Sequence, residues 1–463
     1  MKQRSKRNKN QYLLPTLVLF FMYNSIFEVV SIDTKPYSND GDCQRLYQIS
    51  IDNQYVFEDR TFNGCKNYDY YSVGGVVDIR INSGGEFIIN GTTSFIECEA
   101  ETGGGLSAFV FPGGILSISG ITTFTDCIGL HVGGGCFIGV ENRATATVSG
   151  ICTFIRCTCL YPSGGGGMYS YVQGDQSLLI FDDLITFIDC QSSNSGGGAT
   201  LWVSELGTFK VLGNVVFNNC SCPKGQGGGL YLVQSDFMTS ESSDVQISGE
   251  MTFYNCSVLD QESHSGLGGG LCLQFVFNST VEINKLTFTD CKANYGGGLY
   301  LNVSYEQYYP VDCKLLYTFT GSASFYGCEA QTENGGGMYI YVHNIDFEFN
   351  PTETDDLVIF DKCTAKLSGG GIYLQQGTRG TSNYNKMKFN ECEATNGGGL
   401  FSYITGQGIL TLDQSEFYKC SCNGGNGGGV YFEVNFAPVI QIKIQDTTIH
   451  DCEAITNSSS TYP

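Results

Sequence analysis

The chain has 463 residues, enough for several ordinary domains or one long array. Its 61 glycines show no Gly-X-Y period and accompany only 9 prolines, which excludes collagen, and 31 Phe with 28 Tyr exclude an unfolded chain. Twenty-four Lys and Arg against 46 acids give a net charge of −22, a field that repels nucleic acid.

The N-terminus reads as an export signal. Lys2, Arg4, Lys6, Arg7 and Lys9 form a basic start, and Leu13 to Phe27 is an apolar run of 15 residues. Fifteen is short for a spanning helix, which needs about 20. Val29 and Ser31 suit the −3 and −1 positions of cleavage after Ser31, so residues 1–31 are read as a signal peptide. An uncleaved anchor is the alternative, and it is the one route to a membrane that the sequence offers. Removing the segment takes five bases and one acid, leaving −26. A linker is expected over 32–42.

From there one unit repeats. Phenylalanine stands three residues before cysteine in Phe62/Cys65, Phe95/Cys98, Phe124/Cys127, Phe154/Cys157, Phe187/Cys190 and Phe217/Cys220. The series continues with Phe253/Cys256, Phe288/Cys291, Phe325/Cys328, Phe360/Cys363, Phe389/Cys392 and Phe417/Cys420, and Ile449/Cys452 keeps the spacing. Cys65 to Cys452 spans 387 residues in 12 intervals, about 32 per unit. A glycine cluster follows each of the first twelve, as at Gly103 to Gly105 or Gly227 to Gly229. Three short alternating runs then complete the unit, the third holding the phenylalanine. Alternation with period two reads as strand. Three short strands per unit and no helical stretch predict an all-β solenoid of about 13 coils over 43–455, with strands stacked about 4.8 Å apart. Phe and Cys can both face inward only if the chain turns between them. Asn255, Asp290 and Gly327 suit that corner. Residues 456–463 read as a polar tail, and the last coil as an end that could pair with another copy.

The repeated Gly-Gly-Gly-[Leu/Met/Ile/Val]-Tyr with Phe-x-x-Cys resembles the GGA[ILV] and FxxN repeats of polymorphic outer membrane proteins. It is more similar still to Cys-bearing β-helix surface proteins of some protists, with Cys where the bacterial family has Asn. The resemblance covers residues 43 to 455. It implies a right-handed parallel β-helix exposed on a cell surface, often adhesive.

Thirteen of the 21 cysteines belong to the repeat. Neighbouring Cβ atoms about 4.8 Å apart exceed the roughly 3.5–4.5 Å of a disulfide, so buried free thiols are expected over staples. No zinc on the cysteines and no cofactor is expected. The Gly triplets lack the Lys-Ser/Thr of a phosphate loop. An enzymatic role is not expected. A carbohydrate-active β-helix enzyme is the alternative, and it would need clustered carboxylates. Asp182-Asp183 and Asp355-Asp356 are read instead as solvated turns, and His131 and His264 lie about four coils apart.

Binding is the expected role, toward a surface glycan or protein. Tyr231, Tyr300, Tyr339, Tyr373 and Tyr431 share the position after the post-glycine aliphatic residue and are expected to form an outward aromatic stripe. Inserts lengthen coils six to ten at 233–244, 257–267, 302–314 and 343–356, with twelve acids and one base, Lys314. Inserts on solenoids often build the binding face. Tyr305, Tyr308, Tyr309, Asp346, Glu348, Asp355 and Asp356 are therefore candidates for contact with a basic partner or Ca²⁺. Of six N-x-[Ser/Thr] sequons, Asn90, Asn278 and Asn302 are the expected glycosylation sites. Asn219 and Asn255 look too crowded at the Phe-x-x-Cys corner.

Overall fold

The computed structural model describes residues 47–455, apart from 52, 68–74, 163, 236–242, 261, 263–264, 277–279, 305–315, 344–345, 350, 352–356, 378–379 and 436–440. All described residues belong to one compact unit, 36–463. The signal segment, the linker and the tail lie outside them. Among the described residues every regular element is a strand, and the chain winds as a solenoid of three parallel sheets. Two of the sheets carry thirteen strands each.

The post-glycine sheet holds strands such as Leu106–Val110, Cys136–Glu141 and Met168–Gln173. The phenylalanine sheet holds the next two alternating runs together. They are halves of one bent sheet, separate as Ile115–Ile118 and Ile121–Thr125, continuous as Glu86–Ile96. The third sheet is made of very short strands after each cysteine, such as Thr158–Cys159 and Lys292–Ala293. The sequence reading placed its three strands elsewhere, because two residues are too few to show alternation.

Register is strict. Phe124 pairs with Phe95 and Phe154, and Phe253 with Phe217 and Phe288. The rings form an unbroken file from Phe62 to Phe417. Neighbouring centroids lie between 4.4 Å (Phe389–Phe417) and 5.0 Å (Phe62–Phe95), near parallel throughout. Such a file stabilises because each inward ring is removed from water and covered on both faces.

The corner falls where expected. The residue before each repeat cysteine has positive φ in all thirteen units, from Gly64 (65°) through Asp126 (54°) and Asn255 (50°) to Asp451 (55°). Arg156, Lys362 and Lys419 adopt it too, without the short polar side chain that eases it. The stack compensates. The corner amide donates to the next coil, as from Asp126 N to the Ile155 carbonyl at 2.9 Å. The cysteine thiol donates to the phenylalanine carbonyl of the coil before, as from Cys127 Sγ to Phe95 O at 3.4 Å and Cys256 Sγ to Phe217 O at 3.5 Å.

Each glycine of a triplet has its own reason. In Gly227-Gly228-Gly229 the first has φ of 66°. A Cβ on the second would lie 2.2 Å from the Gly269 carbonyl oxygen. A Cβ on the third would lie 2.7 Å from the Phe253 ring. Left-handed turn, backbone approach and ring contact follow one another in three residues.

Candidate functional site

Among the described residues the interior is packed with side chains. Its files of Phe, aliphatic residues and thiols close around a gap of about 10 Å³ near Met168 and Phe217. Among the described cysteines, Cys65 is disulfide-bonded and 18 are free, all of these buried except the half-exposed Cys452. Burial raises the thiols, Cys159 up to about 11 and Cys152 and Cys222 up to about 12. Within the file the directions differ from coil to coil: desolvation raises Cys157, Cys220 and Cys256, whereas at Cys190, Cys291 and Cys392 desolvation is outweighed by hydrogen bonds from the flanking thiols, which lower the thiol. The buried file sulfurs donate to phenylalanine carbonyls of the coil before. Among the described residues no cluster of three or more His, Cys, Asp or Glu could hold a metal ion.

The five tyrosines make a broken and partly covered run, with Tyr231 and Tyr339 buried. Tyr300 stacks on Tyr339 at 5.0 Å, Tyr339 on Tyr373 at 4.9 Å and Tyr373 on Phe401 at 5.1 Å, with Tyr431 tilted at 5.4 Å beyond. Tyr231 stands apart, since Cys272 occupies the register position between it and Tyr300. Tyr231 packs instead with Val233, Cys272 and Trp202 in a small apolar cluster on the same outer face. Stacking has a chemical consequence. Each inner ring covers its neighbours' faces, so the stripe presents edges and hydroxyls, as where Tyr339 Oη donates to Gln375 Oε1 at 3.2 Å. At one end of the run Tyr300 packs against the Tyr231, Val233 and Cys272 cluster, so that end offers no open ring face for a sugar.

The inserts enter the rod at three different places. Those at 233–244 and 302–314 join the post-glycine sheet to the phenylalanine sheet. The 257–267 insert joins a post-cysteine strand to the glycines. Asp260 accepts from Glu262 N and Ser265 Oγ, both at 3.0 Å, and Asn294 Oδ1 of the next coil accepts from Asp260 N and Gly266 N. The 343–356 insert interrupts the phenylalanine sheet between Phe349 and Val358. Asp346 and Glu348 are half-buried on strand Asp346–Phe349, and Asp346 Oδ1 accepts from Thr381 N at 2.7 Å. Tyr305, Tyr308, Tyr309, Asp355 and Asp356 lie outside the described residues.

Of the sequons, Asn90 is exposed and Asn278 lies outside the described residues. Asn302, expected near a loop, is half-buried within strand Leu299–Ser304. Asn219 and Asn255, expected to be crowded, are exposed, because the left-handed corner throws their side chains outward. They form a ladder in which Asn219 Nδ2 donates to Asp189 Oδ1 at 2.6 Å and Asn255 Nδ2 to Asn219 Oδ1 at 2.9 Å.

One concave feature escaped the sequence reading. The phenylalanine sheet bends between its halves along Gly91, Gly120, Gly150 and Asp183, and the bend leaves a shallow groove, wide open to solvent, of about 350 Å³. Asn90, Thr92, Ser119, Ser149, Ile121 and Ile151 line it, and Asp183 is its single ionisable residue. Asp183 Oδ1 accepts from Leu184 N at 2.8 Å. Outside the groove the same coils present Ser117, Thr145 and Thr147 from one half of the sheet, Thr123, Thr153 and Thr186 from the other. Residues 115–125 and 145–155 contain no charged side chain at all. In a chain of net charge −22 this face is an exception.

No family model, curated protein or solved structure matches this chain.

Proposed function

We propose that the chain is an exported structural or adhesive rod of the cell surface or extracellular space, which meets a glycan or protein through its sides. The observation that carries this reading is the packed core: among the described residues side-chain files run through the coils from Phe57 to Cys420, which favours ligand contact at the outer faces. The basic and apolar N-terminal segment supports export, and a retained segment would tether the rod to a membrane. Binding is favoured over catalysis because Asp182 and Asp183, the described carboxylate pair considered for hydrolysis, are consecutive exposed residues on a bend. Self-association through the last coil belongs to the same proposal. There Val434, Ile444, Ile449 and Ile455 are exposed at positions equivalent to buried or strand-paired ones below.

Surface labelling of intact cells tests the reading. Label should reach the protein without permeabilisation and be lost after external protease. A protein that is labelled only after permeabilisation would refute it.

A further inference from the structure

We propose that the groove at the bend of the phenylalanine sheet binds a linear, electrically neutral polysaccharide laid along the rod. The inference rests on the adhesive reading above and supplies its ligand class and place.

Charge sets the ligand class. An anionic polymer would meet a chain of net charge −22 with no base in the groove wall, and a cationic one would find carboxylates at its two ends that already accept backbone hydrogen bonds, Asp183 from Leu184 N and Asp59 from Thr92 N, both at 2.8 Å. A neutral ligand avoids both the repulsion and the cost of leaving a desolvated charge unpaired. Recognition of such a ligand needs groups that both donate and accept, together with apolar contacts. Ser119, Ser149 and Thr92 carry hydroxyls and Asn90 an amide, each able to do both. Ile121, Ile151 and Leu184 follow one another in register up one wall and are 48%, 43% and 37% exposed. An aliphatic file left in water beside hydroxyls matches the C–H faces and hydroxyl rims of pyranose rings.

Geometry sets the shape. The groove crosses successive coils about 4.8 Å apart, and two of them carry the same wall, Ser119 with Ile121 and Ser149 with Ile151, so a polymer with its own short repeat can make equivalent contacts on both. Over its first three coils no side chain rises from the floor, and the fourth carries Asp183. The reason is packing: a Cβ at Gly120 would lie 2.2 Å from the Gly91 carbonyl oxygen, and one at Gly150 would lie 2.0 Å from that of Gly120. The glycines are required by stacking, and the open channel is the result.

The test is affinity electrophoresis of the full chain through gels containing a soluble β-glucan, a galactomannan, a xylan or polygalacturonate. At least one neutral polymer should retard the native protein, and polygalacturonate should not. Ile121→Lys with Ile151→Lys should weaken that retardation at least tenfold, as should Ser119→Lys alone, while Tyr254→Ala, an exposed site on the far side of the corner, should leave it unchanged. These positions are exposed, and an unchanged thermal midpoint confirms the fold. Retardation by no neutral polymer, or equal retardation of native and Lys variants, would overturn the proposal. So would sedimentation showing a native dimer that the Lys variants dissociate, since the face would then belong to a second copy. Native-like binding by the Lys variants removes the groove but leaves the adhesive role standing. Failure of surface labelling removes that role whatever the gels show.

Discussion

Replacing Phe253 with alanine should destabilise the solenoid by about 3–5 kcal/mol, the range for a large aromatic removed from a packed core. Phe253 is fully buried and stacks on Phe217 at 4.9 Å and Phe288 at 4.8 Å, so both ring faces lose a partner. Its edge fills the space left by Gly229, and the loss therefore opens a void against backbone that cannot collapse. Because each coil touches only its neighbours, the weakened interface lies mid-rod, where it uncouples the two halves. Urea unfolding should show the midpoint fall, together with loss of a single transition. Tyr254→Ala, one residue on and 49% exposed, should stay within about 0.5 kcal/mol. Equal effects at the two positions would mean that Phe253 does not face the interior.

Gly228→Ala is the second large effect, expected at about 3 kcal/mol or more, at or above the top of the overpacking range. The added methyl would lie 2.2 Å from the Gly269 carbonyl oxygen and 2.6 Å from Ser257 N, backbone atoms of the next coil on both sides. Neither can rotate away, so the coils must separate and their hydrogen bonds lengthen. Gly424→Ala is the control. It has φ of 96° but nothing within 4 Å of the new methyl, so it should cost only the left-handed penalty of roughly 1–2 kcal/mol. Chemical denaturation of the two variants separates steric from conformational cost. Similar losses would show that the triplets serve turn geometry alone.

What the sequence disclosed follows from how residues are used. Phe and Cys recur because one inward position recurs, and their spacing of three placed the corner between them. The positive φ at Asp126, Asn255 and Asp290 bears that out. The post-cysteine sheet stayed hidden, since a strand such as Lys292–Ala293 carries no pattern. Insert lengths were legible but not the corners they leave from, so four inserts read as one face join the rod in three places. Asn302 and Asn219 exchanged environments, one drawn into a strand and the other lifted out by its corner. The groove was missed because Ser, Thr and Ile carry no motif. Its signal was available only after the coils were placed in register, when residues 115–125 and 145–155 align as neighbouring rows without charge.

The central claim is that equivalent residues about 32 positions apart lie on top of one another along a single axis. X-ray diffraction from aligned specimens of the purified protein measures that stacking directly. A strong meridional reflection near 4.8 Å is expected. A pattern without it, or one dominated by the 5.4 Å pitch of helices, would contradict the account.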